Sequence, residues 1–293
     1  MRIRLITALS VAFLAFGPVG TTTAAASTSL PTFPAGAAAA GRDAPSVTAR
    51  SAYLVDTTSD TVAFAKRDTR RVPVASLTKV MTAYVVRQEA SLDDVVTITA
   101  ADVRHAVTGG ATSGGLRAGE RLTVRELLYA LMLPSGADAS HALAERYGPG
   151  TRRFVAKMNA AAGKLGLADT RYANPDGLPA KGGYSTARDQ VALARIVLDD
   201  PVIAVIAKKR KHTVAASKVH RAHVWRNTNT LLSYGASGLK TGYTAAAGFC
   251  LSFAAVRDEH TFVGVILGES SEARRVATAR KLLDWAAGDA AGG

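Results

Sequence analysis

Residues 72–86 read VPVASLTKVMTAYVV. Val80, Ala83 and Tyr84 recur at helical spacing and Pro73 stands just ahead of the run, so the pattern predicts a helix from Ser76 to about Glu89. Ser76 and Lys79 then fall at i and i+3, neighbours on one face and within reach of one hydrogen bond. A serine hydroxyl is a weak nucleophile until a base takes its proton. A lysine serves as that base when burial and neighbouring positive charge lower its pKa. The same spacing returns at Ser237-Gly-Leu-Lys240. That copy lies in a strand-like run, where i and i+3 point to opposite faces. The pairing is therefore productive at 76 and not at 237.

Working outward, SAYLVDT and TVAFAKRD are strand-like runs separated by TSD and read as a hairpin. DDVVTIT reads as a short strand. From about 100 to 200 the pattern is helical. LTVRELLYALML has Thr123 and Glu126 at capping-box spacing, ADASHALAERY follows, and RRFVAKMNAAAGKLGL stops near Gly166. NPDGL is a turn cluster in which Asn174 shapes the turn. TARDQVALARIVLDD is a fourth helix, with Thr186 and Asp189 spaced for a cap. GLKTGYT, GFCLSFAAVR and HTFVGVILG are strands. EARRVATARKLLDWAA closes the chain as a helix, with Val276, Ala279, Leu283 and Ala286 on one stripe. Strands, helices, strands, helix imply an α+β fold: a mostly antiparallel sheet flanked by helices, with an all-helical lobe inserted midway.

The ends and the composition bound the function. MRIR, then an apolar run closed by Pro18 and Gly20, then TTTAAAS has the layout of a secretory signal, with cleavage expected after Ala26. Residues 27–46 are small and polar and are expected to form a flexible linker. The expected catalytic domain is 47–288, with an α/β lobe at about 47–95 and 210–288, a helical lobe at about 96–209, and a tail at 289–293. The chain carries one cysteine, Cys250, so no internal disulfide is available despite export, and Cys250 reads as a small buried hydrophobe. The histidines show no metal-ligand spacing, no phosphate-binding glycine motif occurs, and no metal or organic cofactor is implied. The net charge is +13, partly clustered in KKRKH at 208–212 and in Lys218, His220, Arg221, His223 and Arg226. Export argues against nucleic acid as the partner. The cluster reads as a solvated basic face or as one attracted to anionic cell-surface polymers.

Two further words complete a set. LLYALMLPSGADASHALAERY places Ser135 in a loop between two helices, and GLKTGYTAAAG places Lys240-Thr241-Gly242 on a strand. Ser-x-x-Lys, then a serine motif, then Lys-Thr-Gly in this order is the signature of penicillin-recognising serine enzymes. With YANPDGLP and NTNTLL between them, the chain from about Ala49 to Trp285 resembles the low-molecular-mass D-alanyl-D-alanine carboxypeptidases, a group of penicillin-binding proteins. The resemblance implies a β-lactamase/transpeptidase-like fold and a bacterial, extracytoplasmic protein, secreted or wall-associated. Its substrates would be peptidoglycan stem peptides ending in D-Ala-D-Ala, with β-lactams as covalent inhibitors. It further implies that Ser76 forms an acyl-enzyme, that Lys79 takes its proton, and that Ser135 relays a proton to the leaving amine. Lys240 and Thr241 would hold the terminal carboxylate, Gly242 would let backbone approach the ligand, and the N–H groups of Ser76 and Tyr243 would form the oxyanion hole.

The second motif departs from the family at Ala137, where asparagine is usual. An asparagine amide bonds both the lysine and the substrate backbone; a methyl group cannot. This leaves D,D-transpeptidation, or a catalytically weak wall-binding homologue, as alternatives to hydrolysis. Many relatives carry an extra C-terminal sheet domain and an amphipathic anchor helix that this sequence lacks, so a soluble form without a membrane anchor after signal cleavage is expected. A class A β-lactamase is disfavoured. Glu145, inside a helix, is the only glutamate between Ser135 and Lys240, and the second motif reads SGA.

Overall fold

The structure is a computed structural model that describes residues 43–290. The expected signal at 1–26 and most of the expected linker lie outside the described residues. The first strands are β1 (Ser51–Asp56) and β2 (Thr61–Lys66), antiparallel as the hairpin pattern predicts. A 3-10 turn at Ala75–Leu77 runs into α1 (Thr78–Glu89). The predicted helix start at Ser76 is thus correct to within this tighter turn. The helical part holds β3 (Val95–Thr97), α2 (Ala100–Thr108), β4 (Arg121–Thr123), α3 (Val124–Met132), α4 (Ala137–Tyr147) and α5 (Thr151–Lys164). Thr123 and Glu126 form the predicted capping box of α3, and Thr99 and Asp102 make a second at α2.

Next come α6 (Ala187–Leu198) and α7 (Pro201–Lys208), then a short hairpin of β5 (Lys211–Val214) and β6 (His223–Arg226). The chain closes with β7 (Ala236–Thr244), β8 (Gly248–Arg257), β9 (His260–Glu269) and α8 (Glu272–Ala290). The main sheet has the order β2-β1-β9-β8-β7 and is antiparallel throughout. β7 is therefore an edge strand. Helix α6 packs on β1 and β9, and α7 on β7. An amphipathic period does not reveal these contacts, because it shows that a helix is covered on one side without showing by what.

Both faces of the sheet are covered. Tyr53, Val55, Val263, Val265 and Leu267 face one hydrophobic core, together with α1 and the helical lobe. Their alternate neighbours Ala52, Leu54, Phe262 and Ile266 face a second core, closed by Ala279, Leu282, Leu283 and Ala286 of α8. Two buried faces explain why β1 is buried at every position instead of alternating. Helix α1 touches α3, α4, α5 and α6, so the Ser76 turn sits where the sheet and the helical part meet.

The basic run does not stay irregular. Lys211 and Arg226 face each other across β5 and β6. His212 stacks on Tyr129 with ring centroids 3.6 Å apart, and Trp225 Nε1 donates to Gly114 O at 2.7 Å, anchoring the hairpin to the helical part.

Candidate active site

The Ser76 turn opens onto a cleft of about 610 Å³ lined by Ser76, Lys79, Thr112, Ser135, Thr228 and Thr241, among others. The turn is held from two sides. Ala75, just ahead of Ser76, has φ +51°, a left-handed conformation that costs a residue with a Cβ about 1–3 kcal/mol. Gly177, at φ +80°, lies under it: a Cβ there would sit 1.9 Å from Ala75 O. On the other side, a Cβ at Gly242 would sit 2.9 Å from Ser76 N and 3.0 Å from Val74 O. The glycine expected at position 242 lets β7 close on the serine turn.

Lys79 Nζ donates to Ser76 Oγ at 3.1 Å and to the main-chain oxygen of Asp176 at 2.7 Å. The lysine is buried, and burial pushes its pKa down to about 8 although the carboxylates of Asp176 and Asp138 pull upward. Of the two causes expected from the sequence, burial does the lowering, and the charges that act on Lys79 are negative and oppose it. The loop that supplies the Asp176 carbonyl is itself fixed. Asp176 Oδ2 lies 2.5 Å from His105 Nε2, and Asp176 Oδ1 accepts from Leu178 N at 3.0 Å. Burial raises the Asp176 pKa, but the His105 hydrogen bond, the Lys79 charge and the Leu178 N–H outweigh it and hold the carboxyl below its usual range. The His105 ring packs 4.6 Å from that of His141, whose Nδ1 meets Asp102 Oδ1 at 2.6 Å. Asn174 bonds Leu178 O and Gly177 N, shaping the turn as predicted.

Ser135 lines the same cleft as Ser76. It follows α3 in a left-handed conformation, φ +68°, and its buried Oγ has no hydrogen-bond partner among the described residues. A strained residue that presents an unsatisfied hydroxyl to a cavity is poised for a ligand. Thr241 lines the same cleft and shares a 2.6 Å hydrogen bond with Thr228. Tyr243 lines it too, half exposed, its ring 4.3 Å from that of Phe249.

Two expected site residues stand elsewhere. Ala137 opens α4, is fully buried and donates its N–H to Thr112 O at 2.8 Å; it does not line the cleft. Lys240 is also buried behind the cleft wall, its Nζ bonded to Thr241 O at 2.9 Å. Burial pushes its pKa well below the lysine range, and the charges of Lys79 and Arg275 push the same way. Arg275, from the first turn of α8, does line the cleft. It bonds Glu272 at 3.2 Å, and its Nε is buried without a partner. Lys79, Lys240 and Arg275 therefore form a cationic cluster in which Lys240 has no acidic partner among the described residues.

Over residues 38–271 the chain matches the D-alanyl-D-alanine carboxypeptidase family. It belongs to that family, and it is an enzyme of the serine hydrolase class. A D-alanyl-D-alanine carboxypeptidase of Streptomyces sp. (strain K15) is 35% identical over 255 residues, 82% of this chain and 88% of that protein. The carboxypeptidase DacF of Bacillus subtilis (strain 168) is 34% identical over 244 residues; the match spans 81% of this chain and 62% of that relative. The crystal structure of the Streptomyces K15 DD-transpeptidase superposes with a TM-score of 0.79 at 36% identity, covering 84% of this chain and 99% of that one. The fold implied by the resemblance is the fold observed.

In this family member the sequence motifs account for the serine, the lysine and the β7 wall. Arg275 and Thr228 escaped because they come from α8 and from the segment after β6, and no spacing links them to Ser76. Thr228 lies within the word NTNTLL, which carried the resemblance without indicating a role.

Proposed function

We propose that the protein is a secreted serine D-alanyl-D-alanine carboxypeptidase that removes the terminal D-alanine from peptidoglycan stem peptides through an acyl-enzyme on Ser76. The observation that carries this is the 3.1 Å contact between Ser76 Oγ and a buried lysine whose pKa is pushed down to about 8. At pH 7 about a tenth of such a lysine is neutral, roughly 300-fold more than at the ordinary lysine pKa. The neutral amine takes the Ser76 proton as Oγ attacks the carbonyl between the two D-alanines. Ser135, whose hydroxyl has no other partner, passes a proton to the departing amine.

The cationic cluster accounts for the choice of a free C-terminus. Arg275 has a buried, unsatisfied Nε at the cleft wall, with Lys240 close behind Thr241. A substrate carboxylate placed against Thr241 and Arg275 supplies the missing negative charge and makes charge-assisted hydrogen bonds in a partly dry site. The main-chain N–H groups of Ser76 and Tyr243 receive the developing oxyanion, a contribution of about 3 kcal/mol for each such donor. Water then hydrolyses the ester, or an amine from a neighbouring stem peptide captures it. The second outcome, transpeptidation, is favoured as an alternative by the similarity to a protein named a DD-transpeptidase. Ala137 is buried and does not line the cleft, so no side chain at this position offers the substrate the amide that an asparagine would, and the acylation test below decides whether the site works without it.

Intact-mass spectrometry with excess benzylpenicillin tests the proposal. A single penicilloyl adduct is expected on the wild type and none on Ser76→Ala. A folded wild type without an adduct would sink it. Product analysis with an added amine acceptor separates hydrolysis from transfer.

A further inference from the structure

We infer that the basic face built from the β5–β6 hairpin, β4 and α3 is a docking surface for a wall-borne polymer with repeating phosphodiester groups, and that it holds the cleft beside the stem peptides. The second clause rests on the reading of the main cleft given above.

The charge begins in the sequence. Between Asp200 and Asp258 there is no acidic residue, whereas seven lysines and arginines fall between positions 208 and 226. The hairpin then sorts them. His212, Val214, His223 and Trp225 turn inward, His212 onto Tyr129 and Trp225 onto the Gly114 carbonyl, which leaves Lys211 and Arg226 opposite each other on the outer side. The fold adds cations that the sequence keeps apart. Arg121 N donates to Val219 O at 3.0 Å, which sets β4 beside the hairpin tip and its exposed Lys218. Arg125 precedes Tyr129 by one turn of α3, on the side where His212 stacks. Arg121, Arg125, Lys209, Lys211, Lys218 and Arg226 are all exposed, and none makes an ion pair or a side-chain hydrogen bond among the described residues. Acids close by are occupied within the fold. Glu120 accepts from the main-chain N–H groups of Arg117 and Arg221 at 2.8 and 3.1 Å, and Glu126 from the N–H and hydroxyl of Thr123, both at 2.8 Å.

Cations gathered on one face repel one another until counter-charge arrives. Their spacing decides its form. Lys209 lies about 7 Å ahead of Lys211 along the chain, and Lys218, Arg121 and Arg125 belong to other segments. A small anion reaches one or two of them; a chain with an anion in every repeat reaches them all. Phosphodiester oxygens pair with both lysine and arginine. Trp225, the only Trp, Tyr or Phe of the hairpin, is buried on its inner side, so the hairpin offers no stacking platform for the bases of a nucleic acid. The face also adjoins the cleft. Two residues beyond Arg226, Thr228 lines the cleft and shares a 2.6 Å hydrogen bond with Thr241, and the Arg221 guanidinium donates to Gly115 O. Polymer held here raises the effective concentration of stem peptides carried on the same wall.

The experiment titrates fluorescently labelled poly(glycerol phosphate) with three proteins. These are the wild type, an Arg121→Gln/Arg125→Gln/Lys218→Gln variant, and an Arg152→Gln/Arg153→Gln/Lys164→Gln variant that removes the same charge from exposed sites on α5. Wild-type affinity is expected to fall with salt at a log–log slope of about −4, as six contacts to a single-stranded polyanion give. The first variant is expected to bind at least about tenfold more weakly with a slope of about −2, and the α5 variant to stay within about threefold of wild type, with Tm unchanged in both. D-alanine release from wall fragments that carry the polymer is expected to exceed release from fragments stripped of it by about fivefold in the wild type, and to equal it in the first variant. Equal losses of binding in the two variants, a wild-type slope near zero, or tighter binding of single-stranded DNA of matched charge overturn the inference. Failure of the cleft reading looks different: no penicilloyl adduct and no D-alanine from any fragment overturn that reading and the clause about stem peptides, while the polymer titration still decides the docking surface.

Discussion

At the scale of single residues, the chemistry depends on Lys79 losing its proton. Its pKa of about 8 is set by burial against the pull of Asp176 and Asp138. The base form is the neutral amine, so acylation is expected to speed up by about tenfold per pH unit below pH 8 and to level off above it. Stopped-flow acylation by a chromogenic cephalosporin between pH 5.5 and 9.5 checks this; a flat profile would remove Lys79 as the base. The Ser76–Lys79 pair was legible in the sequence because it is local: three residues along one turn suffice to bring the groups together. Lys240 was legible as a motif but not as a position. Its burial, and the charges of Lys79 and Arg275 that press its pKa further down, arise only where distant parts of the chain converge in the fold. Ala137 was legible as the motif position but not as a buried one, since motif spacing does not say how deep the first turn of α4 lies.

At the scale of elements, the site depends on the loop from Asn174 to Leu178. It provides an acceptor for Lys79 and a floor for the Ser76 turn, and His105 of α2 clamps it through Asp176. Gly177→Ala would add a Cβ 1.9 Å from Ala75 O at φ +80°. Contact and backbone strain together are expected to cost about 2 kcal/mol or more in urea unfolding and to slow acylation at least tenfold. Unchanged kinetics in this variant would show that the loop does not hold the serine. The elements themselves were well marked, and the strand pairs, the capped α3 and the stop near Gly166 are where their patterns put them. Helices α2 and α7 and the β5–β6 hairpin were not. Each is short, and the hairpin is formed from charged residues whose partners, Tyr129 and the Gly114 carbonyl, are distant in sequence.

At the scale of the whole molecule, two cores on opposite faces of one sheet stabilise the fold without a disulfide. The α+β layering was legible because both the alternation and the length of the strands were; what α6 and α7 pack against was not, because an amphipathic helix looks alike whether it covers a sheet or other helices. The net charge of +13 has a local focus as well. Lys211 and Arg226 sit opposite each other, exposed, and neither makes an ion pair among the described residues. Like charges placed so are destabilising unless counter-charge is supplied. Lys211→Glu combined with Arg226→Glu is expected to lower the salt needed to elute the protein from an immobilised polyphosphate column while leaving penicillin acylation unchanged. Elution at unaltered salt would assign the attraction to the general charge instead. Among the described residues no helix is long and apolar enough to cross a membrane.

Cys250 lies near the start of β8 with no exposed surface, and burial pushes its thiol up to about 11. It is therefore silent toward maleimides at neutral pH. A reporter thiol can be installed elsewhere without first removing it. Val107, 73% exposed near the end of α2, stands two residues before Gly109 on the cleft rim. A Val107→Cys protein should take up one dye, and its fluorescence should change as benzylpenicillin enters, turning the molecule into an optical sensor of its own occupancy.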